Sequence, residues 1–345
     1  MPQTRAAPAP PRAGHPTSEE GRASLTIGLS AVIVAASISE PRILTVPQPA
    51  RQPADAAHTE GVVEALPSGP LEAQHRTLEI GLRSWVEQQT GQRLGYVEQL
   101  YTFGDRDRVA GEEALALPAL VVAYLALVRE VRPAAGAEWR NWYRYFPWED
   151  WRDGKPLLLT ALEARLEAWA AMADGEAERR LRHERLGLAF GLHGAAWNEE
   201  LVLERYELLY EAGLVAEAAR DVGGLPQLPD GSAGAGMASD HRRILATAIG
   251  RLRGKIKYRP VVFELMMPAF TLLQLQRTIE ALSGVRLHKQ NFRRLVEQQG
   301  LVEETGEISA QTGGRPARLV RFRREVLLER PAPGLRLRAA RRSTG

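Results

Sequence analysis

An α+β chain built in two parts is what the sequence predicts, on three observations. Apolar runs of strand length surround one amphipathic helix between residues 24 and 152. Two long Ala/Leu/Arg/Glu stretches follow, and the last hundred residues read as three helices and a strand pair. At 345 residues the chain exceeds the usual single-core size, so two domains with tails are expected. Hydrophobic residues at 44% and charged residues at 25% exclude collagen-like and wholly disordered classes. Cysteine is absent, which excludes disulfides and thiolate chemistry, leaves His and carboxylates as the only metal ligands, and fits a reducing compartment.

Residues 1–23 are rich in Pro and Ala without periodicity and read as a disordered leader. The run SLTIGLSAVIVAAS, 24–37, resembles a signal-peptide core, but Glu19 and Glu20 precede it where a positive flank is needed. With RILTVP after it, we read a buried strand pair. No apolar run approaches the ~20 residues that span a bilayer, so a cytoplasmic protein without membrane contact is expected. Next, Leu78, Leu82, Trp85 and Val86 give a helix one apolar face and Gly91 a stop, after which GYVEQLYTF and ALVVAYLALV read as strands.

The aromatic stretch EWRNWYRYFPWEDW, 138–151, reads as core or interface packing rather than a ligand cage. Residues 157–183 and 198–221 each read as one packing helix, and neither offers a metal pattern. Gly, Pro and Ser accumulate over 221–239, a linker. The expected division is therefore a leader at 1–23, a strand-rich domain at 24–152, a helical insertion at 153–220, the linker, a helical domain at 240–330 and a basic tail at 331–345.

Charge is divided unevenly. Residues 241–345 hold 22 Lys and Arg against 8 Asp and Glu, a balance of +14, while residues 1–240 carry −11. By charge, only the C-terminal part is a polyanion binder. A solvated basic face or the tail alone would also produce this balance.

The segment HKQNFRRLVEQQG sharpens the reading. His288, Phe292, Leu295 and Val296 recur at three and four and point inward, leaving Gln290, Arg293, Arg294 and Glu297 outward, flanked by Lys289 and Asn291. A recognition helix needs such a face, because Arg bonds guanine and Asn or Gln bonds adenine in the major groove. Gly313, Gly314 and Pro316 shape a wing whose Arg315 and Arg318 reach phosphates or an adjoining minor groove. Three helices and a strand hairpin then make a winged helix-turn-helix that binds double-stranded DNA.

The ordered blocks RLRGKIKY, FTLLQLQ, NFRRLV, GLVEETG and GRPARLVRF, spanning about 240–322, resemble the C-terminal domain of the Nudix-related transcriptional regulators of NAD metabolism, the NrtR family. EQLYTFGDRDR and VAYLALV extend the resemblance upstream. It implies a Nudix-like α/β/α sandwich, a helical extension and a winged helix in a homodimeric regulator, expected to repress NAD-biosynthesis or salvage genes. It further implies a sensor for a nucleotide such as ADP-ribose, with Arg106 and Asp107 as effector contacts or, equally, a plain charged turn.

The hydrolase signature of that family is broken. Anchored on Gly91, its positions hold Pro70, Arg76, Ser84, Trp85, Gln88 and Gln89 where Gly, Glu, Arg, Glu and paired Glu belong. Amides are poor ligands for hard cations and Arg76 repels them. Glu79 and Glu87 lie off the pattern and read as a solvated face. No catalytic residue, metal or cofactor is therefore expected. Two alternatives remain open at this stage: a Nudix hydrolase of nucleoside diphosphate derivatives with non-standard metal ligands, and an interaction protein whose helices at 157–221 dock a partner.

Overall fold

Burial along β1 (Ile27–Ala36) decides the architecture: every interior position is buried, so layers cover both faces of the sheet. The computed structural model describes residues 26–49, 62–104, 120–134, 136–222, 228, 232–309, 316–330 and 333–335. β2 (Pro41–Pro49), β3 (Val62–Ala65), β4 (Ser68–Pro70), β5 (Tyr96–Gly104), β6 (Leu120–Leu127) and β7 (Glu138–Asn141) complete the sheet. Its order is β3-β2-β1-β6-β5, with β4 added to β1 and β7 to β2. β1 and β6 run parallel in the centre and the other pairs are antiparallel.

On one face, Leu29, Ala31, Ile33 and Ala35 of β1 and Val122, Tyr124 and Ala126 of β6 pack with Leu82 and Val86 of α1 (Leu78–Thr90). The Thr77 hydroxyl caps α1 by accepting from the Ile80 amide at 3.2 Å, and Gly91 ends it with φ 68°.

The helical insertion differs from its expected form. Residues 157–183 are broken into α2 (Leu157–Ala171) and α3 (Glu176–Phe190), which pack on each other. Gly175, at φ 128°, turns the chain between them, a conformation that removes the helix the Ala/Leu content predicts. Likewise 198–221 is α4 (Val202–Glu211) and α5 (Ala216–Asp221), separated at Gly213, φ 71°.

α6 (His241–Tyr258) covers the second face of the sheet. Its Ile244, Leu245, Ile249, Leu252 and Ile256 join Val32, Val34, Val121, Ala123 and Leu125 in one core. Each of the Ile, Leu and Val side chains contributes roughly 1.5–3 kcal/mol by burial. Grouped with the C-terminal domain by sequence, α6 contacts β1, β5 and α4. The α/β/α sandwich thus draws its third layer from beyond the 221–239 segment. The aromatic stretch lies in this core, with Trp142, Tyr145, Phe146 and Trp148 fully buried.

α7 (Leu272–Ser283) and α8 (Lys289–Gln299) follow, then the hairpin of β8 (Val302–Ser309) and β9 (Ala317–Phe322), and α9 (Val326–Glu329). A capping box between Thr271 and Gln274 starts α7 and Gly284, φ 75°, ends it. Phe270 exchanges two backbone bonds with Val320, 2.9 and 2.8 Å, an isolated antiparallel bridge onto β9. The expected α+β class, with a sandwich, a helical extension and a winged helix-turn-helix, is what the chain adopts.

A buried ionic node joins these parts. The Glu149 carboxylate accepts from Arg205 of α4 at 2.5 and 2.9 Å and from Arg253 of α6 at 2.6 Å, with all three side chains fully buried. Burial alone would push the Glu149 carboxyl up; the Arg205 and Arg253 guanidiniums override it and hold the carboxyl below its ordinary value. Arg253 also donates to the Leu282 carbonyl of α7 at 3.0 Å, and the Tyr143 hydroxyl donates to the Ala281 carbonyl at 2.8 Å. The end of α7 is therefore held by the sandwich.

Candidate functional site

α8 is anchored by two buried residues, Phe292 and Val296, on one side. Lys289, Gln290, Asn291, Arg293 and Arg294 are all exposed on the remainder. The 3.6-residue period forces this separation. Arg294 donates to the Asn291 side chain at 3.3 Å, whereas Lys289 and Arg293 form no ion pair with the described residues. Leu295 is half-buried, and His288, read from sequence as inward, is an exposed N-cap residue because its extended backbone precedes the helical period. Gly300, φ 56°, stops α8 and leads directly into β8.

The wing is partly neutralised. Arg318 pairs with Glu304 at 2.6 Å across the hairpin, both exposed, and Arg321 pairs with Glu303 at 2.6 Å. These cross-strand neighbours could not be read from a run of basic residues. Arg315 lies outside the described residues, as do Arg106 and Asp107.

The residues compared above with the hydrolase signature form a second candidate site. Gln89 clamps α1 to β4: its carbonyl accepts from the Ser68 amide at 3.1 Å and its NH2 donates to the Ser68 carbonyl at 2.7 Å. The Trp85 indole donates to the Pro70 carbonyl at 2.8 Å and lies so close over Gly69 that a Cβ there would overlap its ring. Trp85 and Gln89 thus both bind the backbone of β4. Glu79 pairs with Arg83 at 2.8 Å and Glu87 with Arg93 at 3.0 Å, all on the surface. Beside Gln89 opens a cleft of about 290 Å³ lined by Val46, Pro47, Gln48, Ala65, Leu66, Ser68, Gln89 and Gly136. The Leu66 amide donates to His241 Nδ1 at the start of α6, 3.0 Å.

Comparison with known proteins bears on the C-terminal site. Residues 262–322 match the family model of the NrtR DNA-binding winged helix domain. A stretch of 86 residues is 43% identical to the ADPR responsive transcriptional repressor NtrR of Acinetobacter baylyi, covering 25% of this chain and 34% of that protein. The chain thus spans about a third of the length of the curated relative it matches. Among solved structures, NrtR of Shewanella oneidensis with a 27mer DNA is similar over 87% of this chain and 94% of that one, at 18% identity and TM-score 0.49. Its Nudix domain complexed with ADP ribose is similar over 36% and 77%, at 18% identity and TM-score 0.29. Residues 262–322, which hold the helix pair and the hairpin and all the ordered motifs but RLRGKIKY, are thus similar to the NrtR DNA-binding winged helix domain.

Proposed function

We propose that the chain is a nucleotide-responsive, DNA-binding transcriptional repressor of NAD-biosynthesis or salvage genes that acts as a homodimer. The observation carrying this reading is the face of α8, where Lys289, Gln290, Asn291, Arg293 and Arg294 stand exposed on a helix whose other side is fixed by Phe292 and Val296. Lys289, Gln290, Asn291, Arg293 and Arg294 meet the major groove, while Arg318 and Arg315 approach phosphate. Arg318 must exchange Glu304 for the phosphate, so its contribution is the smaller.

The sandwich is the sensor. It binds a pyrophosphate nucleotide such as ADP-ribose without hydrolysing it, because the signature positions that would hold metal are occupied by Trp85 and Gln89, bonded to β4. The cleft beside Gln89 is its entry, and Arg106 and Asp107 are retained as effector contacts. The sensor unit extends through α6 and the reading unit starts near Val261. α6, 18 residues and about 27 Å long, is the lever: His241 at one end takes the Leu66 amide of the cleft and Arg253 near the other holds α7. A nucleotide that favours one lever position by a few kcal/mol shifts operator occupancy.

Calorimetry with ADP-ribose in EDTA, paired with a hydrolysis assay in magnesium, tests the reading. Binding without turnover is expected. Turnover abolished by Glu79→Gln would establish the hydrolase alternative instead. Light scattering at micromolar concentration should give twice 38.1 kDa; a mass near 38.1 kDa would remove the dimer.

A further inference from the structure

The helical insertion carries a cluster that neither the sandwich nor the winged helix uses. Glu167 of α2, His183 of α3 and His193 of the following loop bring one carboxylate and two imidazoles together, their ligand atoms all within 4.8 Å of one another. We propose that these three side chains form a zinc-class divalent metal site.

Three features of the geometry support it. Glu167 Oε2 lies 3.3 Å from His183 Nδ1, and Oε1 lies 2.9 Å from His193 Nε2. Metal–ligand bonds of 2.0–2.1 Å at tetrahedral angles put neighbouring ligand atoms about 3.3 Å apart; each imidazole already meets the carboxylate near that spacing through a different oxygen, and rotation of the Glu167 carboxylate with the exposed His193 ring would bring one oxygen and both nitrogens onto a single ion. His183 Nδ1 is inaccessible to solvent and has no hydrogen-bond partner, although it faces the carboxylate. Its 3.3 Å approach to Glu167 Oε2 is not aligned as a hydrogen bond, and a bound ion would satisfy both groups. His193, finally, sits at φ 54°, a strained conformation for a residue other than glycine, and its ring rests over Gly187, where a Cβ would lie 3.4 Å from it.

The donor set selects the ion. Two imidazoles and one carboxylate suit zinc and disfavour magnesium and calcium, which take oxygen ligands. Three protein ligands leave a fourth position for water or another small donor. Nearby positive charge is directed away, since Arg182 stacks on Trp169 at 4.4 Å and pairs with Glu178 at 2.9 Å. The site would fasten the loop after α3 to the α2–α3 hairpin. That loop is also tied inward at both ends, because Arg205 donates to the carbonyls of Ala189, in the last turn of α3, and Asn198 at 2.8 and 3.0 Å.

The sequence conceals this site because its ligands are separated by 16 and 10 residues across a helix break, so no short spacing marks it. The test uses the full chain, stripped with a chelator and titrated with zinc alone by calorimetry and with cobalt alone by visible absorption. One ion per chain is expected, with cobalt giving the intense bands of a tetrahedral site. Glu167→Gln, His183→Ala and His193→Asn should each weaken zinc binding about tenfold or more. His193→Asn is the decisive variant, because the residue is exposed and Asn tolerates its backbone conformation. Zinc binding equal in wild type and His193→Asn, or no stoichiometric binding by wild type, overturns the proposal.

Discussion

Arginines 205, 242 and 253 and arginines 293, 294 and 318 are the same residue type put to opposite uses. The first three are fully buried, and each is held by carboxylates and carbonyls. The second three are exposed, and among the described residues only Arg318 of them is tied to a carboxylate. The difference teaches that a count of cations measures two things at once. Arg242 and Arg253 belong to the C-terminal +14, yet they neutralise Glu217 and Glu149 from the acidic part of the chain and present no charge to a polyanion. Lys257, with Glu199 and Glu200, is a partial case of the same kind. Among the described residues, Lys289, Arg293 and Arg294 of α8 stand exposed with no carboxylate partner.

Breaking the buried half of this comparison should have the largest effect. Glu149→Gln leaves Arg205 and Arg253 facing a neutral amide in a dry interior, and should cost about 3–5 kcal/mol of stability in denaturant unfolding. The contribution has a definite pH dependence. Because the folded-state carboxyl is held below its ordinary value, it is present above the usual carboxylate range and is lost as pH falls through the lowered folded-state value. Wild type should therefore lose stability on acidification in that window, and Glu149→Gln should lack that part of the loss. Identical acid profiles would contradict the assignment.

A smaller effect is expected where the two regions meet. Gly284 ends α7 at φ 75°, and its carbonyl accepts from the Trp151 amide at 2.7 Å, while a Cβ would strike the Glu149 carbonyl. Gly284→Ala should cost about 1–3 kcal/mol from backbone strain and displacement. Thermal unfolding reads this cost, and an unchanged midpoint would mean that α7 is not seated as described. The smallest effect should come from the wing, where Arg318→Ala is expected to reduce the salt slope of DNA binding by less than one, because Arg318 is already paired. A full unit would show that Glu304 is released without cost.

How far the sequence revealed this molecule follows from the range of the forces involved. α1, β1, β2, β5, β6, α7 and α8 were legible because local periodicity and glycine stops produce them. β3, β4 and β7 were not, since strands of three or four residues carry too little pattern and exist through pairing with β1 and β2. The outward face of α8 was readable from spacing alone. The Arg318–Glu304 pair, the Gln89 clamp and the Glu149 node were hidden because each joins residues distant in sequence. Helix breaks at Gly175 and Gly213 carried a visible signal, glycine, that Ala/Leu-rich surroundings outweighed.

The central claim is that α8 reads bases, and fluorescence anisotropy on a selected operator and a scrambled duplex, over a salt series, tests it most directly. Arg293→Ala and Arg294→Ala should each lose about 1–3 kcal/mol on the operator and much less on the scrambled duplex, narrowing discrimination while thermal unfolding stays at the wild-type midpoint. Unchanged discrimination in both variants would contradict the account and reduce the exposed arginines to a solvated basic face.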